Sequence, residues 1–107
     1  MEPGTERDGS EGGGLRREIR DRPDLGRYEL VHDGTVVGVV QYQLNGSVAT
    51  IPHVEVAASL RGGGHSAPFL DEVLELMVQR GFTILPLCGY AAGHIANRPD
   101  REQLLGI

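Results

Sequence analysis

Residues 59–68 read SLRGGGHSAP: an arginine, three glycines, a histidine and a small hydroxyl residue ahead of a helical pattern. Three ordered glycines in a row cost backbone entropy, so a functional reason is sought. A linker would fit the composition, but the stretch is short and held between a strand pattern and a helix pattern. Gly62, Gly64 and Ala67 match a dinucleotide fingerprint, yet the strands before them read as hairpins and "FTILPL" after them ends without an acid. A Walker loop is excluded because no lysine follows the glycines. The remaining chemistry is an anion cradle. Residues without Cβ let several N–H groups face one phosphate, the helix start adds positive potential, and Arg61 supplies a charged donor. Other groups capable of chemistry are His53 with Glu55 two residues on, and the single cysteine, Cys88. An imidazole can move a proton near neutral pH, and a thiol can attack or protonate. One cysteine and four scattered histidines have no metal-ligand spacing, and no strained nucleophile turn marks a Ser-His-Asp triad.

These residues need a frame. The chain has 107 residues, enough for one modest core, with 39% apolar residues and only three tyrosines and two phenylalanines among its aromatics. Val, Leu and Ile must therefore fill the interior. The net charge of -5 argues against nucleic acid or an anionic membrane as partner. All ten basic residues are arginines, which removes any mechanism through a lysine Schiff base. With one cysteine there is no internal disulfide, and a cytoplasmic setting is expected. The polar start lacks a secretory pattern, and no run is long enough to cross a bilayer.

Residues 1–14 read as a disordered tail, and residues 15–107 as one domain. "LRREIRD", with Leu15 and Ile19, suggests an edge strand or a single helical turn. Pro23 to Gly26 is a turn signal. "RYELVHDG" alternates and ends on the hairpin pair Asp33-Gly34, "TVVGVVQYQL" is rich in strand formers, and Asn45-Gly46 marks a second hairpin. "SVATIPHVEVA" is a further strand whose Pro52 belongs at a bulge or on an unpaired side. The period then changes: Phe69, Leu70, Val73, Leu74, Met77 and Val78 share a helical face, with Ser66 as N-cap and Gly81 as stop. "FTILPL" reads as a short buried strand, and one or two short helices broken at Pro99 complete a β-β-β-β-α-β-α order. Among the other histidines, His65 reads as loop and His94 as facing solvent from a helix.

The spacing Arg61-x-x-Gly64-x-Ser66 resembles the R-x-x-G-x-G/A loop that GNAT acetyltransferases wrap around the pyrophosphate of acetyl-CoA. Over about Leu15 to Leu105 the chain resembles a minimal, single-domain GNAT-like family. Arg27-Tyr28-Glu29, His53-Val54-Glu55-Val56, Arg61-Gly62-Gly63-Gly64 and Pro86-Leu87-Cys88-Gly89-Tyr90 follow its R-Y-E, H-T-E-V, R-G-x-G and P-x-C-P-F/Y motifs. Val54 stands for a threonine, Gly89 for a proline, and Asn97-Arg98-Pro99-Asp100-Arg101 lies where R-H-P-E-Y is usual. The resemblance implies an α+β (mixed α/β) fold and an N-acetyltransferase using acetyl-CoA, without a metal. It implies His53 as base, Cys88 as acid for the leaving thiolate or as acyl-accepting nucleophile, and Glu55 as orienting group or base through water. Val54 and Val56 would meet the pantetheine through their backbone, Arg61, Gly62, Gly63, Gly64, His65 and Ser66 the pyrophosphate, and Tyr90 the acyl-CoA. The acceptor would be a protein, peptide or small amine, and the chain a monomer or weak dimer. A non-catalytic acyl-CoA-binding module and a plain structural domain are the competing readings.

Overall fold

The computed structural model describes residues 17–58 and 66–107. The expected tail, Leu15, and the loop residues Arg61, Gly62, Gly63, Gly64 and His65 lie outside the described residues. One five-stranded sheet runs in sequence order: β1 (Arg17–Arg22), β2 (Arg27–His32), β3 (Thr35–Asn45), β4 (Val48–Val56) and β5 (Thr83–Pro86). The first four strands pair antiparallel, and β5 pairs parallel to β4. Among the described residues, helices α1 (Ser66–Gln79), α2 (Gly89–Ala96) and α3 (Arg101–Leu105) accompany the sheet.

Local chemistry sets most of this meander. Asp33 and Gly34 both take positive φ, 51° and 81°, between the paired residues His32 and Thr35, as a type I′ hairpin turn requires. The second turn sits one residue later than the Asn45-Gly46 signal suggests. Asn45 still pairs with Val48, so Gly46 and Ser47 form the loop, with the glycine first. The chain between β1 and β2 turns at Pro23–Gly26, where Leu25 N–H donates to the Arg22 carbonyl. "LRREIRD" thus contributes an edge strand, with Ile19 packed toward the core.

A bulge in β4 governs which side chains face out. Gln41 pairs with His53 but Gln43 with Thr50, so Ile51 and Pro52 together oppose Tyr42. Proline has no N–H to lose from the ladder there. Ala49 and Ile51 point inward before the bulge, Val54 and Val56 after it. Strict alternation through 49, 51, 53 and 55 would have buried His53 and Glu55; the extra residue turns both to the opposite face.

The inward sheet face, with Tyr28, Leu30, Val40, Tyr42 and Ile84, packs on Phe69, Leu70, Val73, Leu74 and Met77 of α1, Ala91 and Ile95 of α2, and Leu104 of α3. Fully burying each large apolar side chain contributes about 1.5–3 kcal/mol. Helix α1 ends in a Schellman motif, Gly81 N–H to the Val78 carbonyl and Phe82 N–H to the Met77 carbonyl. Strand β5 departs from expectation. It is an edge strand rather than a buried one, with Ile84 inward and Leu85 exposed on the outer face.

Candidate active site

The register places the site where β4 and β5 part. Their parallel pairing ends at Ile51–Pro86. The next two N–H groups, of Leu87 and Cys88, both donate to the Ile51 carbonyl, at 3.0 and 3.2 Å. From there β4 continues to Val56 while the other chain turns away into α2. Cys88 is extended (φ -85°, ψ 133°) and is the N-cap residue of that helix. Its carbonyl accepts from Ala92 N–H at 2.9 Å.

The Cys88 thiol is partly buried against the core. Burial alone pushes its pKa up, but the backbone N–H groups of Ala91, Tyr90 and Val54 together outweigh that and leave it below the ordinary thiol value. A thiolate gains from donors at a helix N-terminus, and a neutral thiol much less. The Val54 donor comes from a different element. Its side chain points into the core while its N–H lies along the strand edge toward β5.

On the outer face, His53 and Glu55 stand side by side, His53 Nε2 3.5 Å from Glu55 Oε1, with both side chains at least half exposed. Among the described residues no hydrogen bond joins His53 to Cys88. His53 adjoins Val54, whose backbone N–H acts on the thiol. Ser66 is not an N-cap but the first residue of α1, buried, with its hydroxyl bonded to the Tyr90 hydroxyl. Val56 is buried further along the β4 edge.

The Arg27-Tyr28-Glu29 motif is structural. Tyr28 packs in the core, and the buried Glu29 carboxylate accepts from Arg27 Nη2 at 2.8 Å and lies 3.8 Å from Arg22 Nη1. A second polar cluster holds the sheet to the end of α1. The Tyr42 hydroxyl and Arg80 Nη1 each donate to Asp21 at 2.7 Å.

Sequence reading missed a third cluster. His94 does not face solvent; its Nε2 donates to Asp71 Oδ1 at 2.7 Å, and Arg98 Nη1 donates to the same oxygen at 2.6 Å. Arg98 also grips Asp100 through two bonds of 2.8 Å. The available signal was the helical position of His94, three residues after Ala91 and beside Ile95, both buried.

A meander extended by one parallel strand, with Cys88 at the N-cap position of a helix where the strands part, makes a mixed α+β fold. More narrowly, the model of the GCN5-related N-acetyl-transferase family matches residues 27–104, and the chain belongs to that family. A search of curated proteins finds no match. Among solved structures, a GCN5-like protein from Staphylococcus aureus, determined by NMR in solution, superposes with a TM-score of 0.58 at 20% identity. The match covers 82% of this chain and 85% of that one, and it shows a shared fold. The protein is thus a small acetyltransferase of the GNAT type.

Proposed function

We propose that the protein moves the acetyl group of acetyl-CoA to an amine by way of Cys88. The carrying observation is the parting of β4 and β5 beside a thiol that three backbone N–H groups of Ala91, Tyr90 and Val54 favour as thiolate. The pantetheine arm would lie in that opening along Val54 and Val56. Arg61, Gly62, Gly63, Gly64 and His65, with the start of α1 at Ser66, would hold the pyrophosphate. The Cys88 thiolate attacks the thioester carbonyl, a new C–S bond forms, and the CoA thiolate leaves and takes a proton from solvent. A neutral amine then attacks the acetyl-cysteine, forming the amide as the Cys88 thiolate departs. The surplus ammonium proton passes to His53, which Glu55 orients. The donors that stabilise the thiolate also serve the oxyanion of each addition.

The acceptor is a protein, peptide or small amine, and the outward, exposed position of His53 and Glu55 leaves room for a large one. The working compartment is the cytoplasm. Among the described residues no helix is long and apolar enough to cross a membrane.

Mass spectrometry after mixing with acetyl-CoA tests the covalent route, with one acetyl group expected on Cys88 and none in Cys88→Ser. An unmodified protein that still releases CoA when amine is added would replace it with direct transfer. The departures from the family's motifs at Val54, Gly89 and Asn97-Arg98 favour one second reading, a module that binds acyl-CoA without catalysis. It predicts calorimetric binding with no amine-dependent CoA release.

A further inference from the structure

Helices α1 and α2 meet where Ser66 of α1 bonds Tyr90 in the first turn of α2. Further along, Asp71 of α1 takes both His94 and Arg98. Tyr90, His94 and Arg98 recur every four positions, so among the described residues one stripe makes the side-chain hydrogen bonds to α1. The upper contact is hard to explain by packing. Tyr90 is 36% exposed, and Ser66 is a buried hydroxyl in a helical turn that does not use it as a cap. A buried hydroxyl needs a partner, and an alanine at 66 would need none.

Two residues before Tyr90 is Cys88. Cys88 is itself tied to β4, its N–H donating to the Ile51 carbonyl at 3.2 Å. The backbone N–H groups that lower its thiol's pKa belong to two elements, Tyr90 and Ala91 to α2 and Val54 to β4. They converge only while the first turn of α2 stays against the β4 edge. We propose that Ser66 and Tyr90 are a positioning pair, a clasp that holds the start of α2, and with it Cys88, in register with β4 and the start of α1. The Asp71–His94–Arg98 cluster fixes the lower half of the same seam. The inference rests on Cys88 being the working thiol, but its test uses no acetyl-CoA and stands apart from that reading.

The test is the rate of Cys88 alkylation by iodoacetamide at pH 7, with the thiolate ultraviolet titration as a second readout. Ser66→Ala and Tyr90→Phe should each slow alkylation about threefold to tenfold, the range that one net hydrogen bond allows, and move the titration midpoint upward. The double variant should be no slower than either single one, since both remove the same bond. Ser66→Thr, which keeps the hydroxyl, should stay within about twofold of the parent on the same scale. Parent-like alkylation in both single variants overturns the clasp, as does a double variant in which the two effects multiply. A melting temperature that falls in proportion to the alkylation rate also overturns it, because loosening of the whole fold would then suffice. If the variants behave as expected but the parent transfers no acetyl group, the clasp stands and the proposed function fails.

Discussion

At Gly38 the strands β3 and β4 leave no room for a Cβ, and replacing it with alanine gives a quantitative check on the sheet. A Cβ built at Gly38 would lie 2.7 Å from the Glu55 carbonyl oxygen, 3.1 Å from Leu30 Cδ1 and 3.3 Å from Val56 Cα. Two of these neighbours are backbone of the strand that carries the site. They can yield only if β4 moves away from β3. Overpacking of this kind costs about 1–3 kcal/mol, and alanine recovers about 0.5–1 kcal/mol through the lower entropy of its unfolded chain. At the middle of these ranges the net loss is about 1 kcal/mol, equivalent to a melting temperature lower by roughly 4–8 °C for a domain of this size. Gly93, in α2, is the matched control. A Cβ there meets nothing within 4 Å, so Gly93→Ala should stabilise by about 0.5–1 kcal/mol. Thermal unfolding followed by circular dichroism reads both. A Gly38→Ala protein that melts at or above the parent temperature would refute the close approach of the strands.

His53→Ala should lower the amine-dependent turnover by about 10²–10⁴-fold while acetyl-CoA binding by calorimetry changes little; an unaltered turnover removes His53 as the base. Alkylation of the parent protein across pH should reach half its maximal rate below the ordinary thiol value, since the Ala91, Tyr90 and Val54 donors outweigh burial at Cys88. Between the lowered native midpoint and the ordinary one, the unfolded chain binds a proton that the native thiol has released. Stability should therefore rise with pH in that window, and Cys88→Ala should abolish the rise. Asp21→Ala strips a partner from both the Tyr42 hydroxyl and Arg80 and should cost about 1–3 kcal/mol in urea unfolding. The Tyr42 phenol, held above its ordinary value by burial and by Asp21, should then titrate at lower pH; an unchanged titration would contradict the bond.

The meander is legible in the sequence because its causes are local. Asp33-Gly34 can hardly serve as anything but a tight turn, and Pro52 cannot take a ladder position that needs an N–H. The helical face from Phe69 to Met77 is equally plain, being a matter of period alone. Less legible is anything that depends on two elements meeting. His94 looks like a surface histidine until α1 brings Asp71 beside it. Ser66 looks like a cap until Tyr90 arrives. "FTILPL" has the composition of a buried strand, but its place at the sheet edge follows from what pairs beyond it, which no window of six residues reveals. His53 and Cys88 are singled out by residue type and motif. That His53 faces outward follows from the bulge at Ile51 and Pro52, and that Cys88 sits at the seam follows from the end of the β4–β5 pairing at Ile51 and Pro86.

The pairing that carries the site is also the one most distant along the chain. Strands β1 to β4 join near neighbours, Gly38 to Val56 being the widest span at 18 positions, whereas Val48 meets Thr83 at 35. Closing the longer loop costs only about 0.6 kcal/mol more, but it cannot nucleate early, as a hairpin can. The meander is thus a template on which α1 and β5 dock, and the thiol reaches its donors only when that docking is complete. A chain caught half-folded would hold most of its sheet and none of its chemistry.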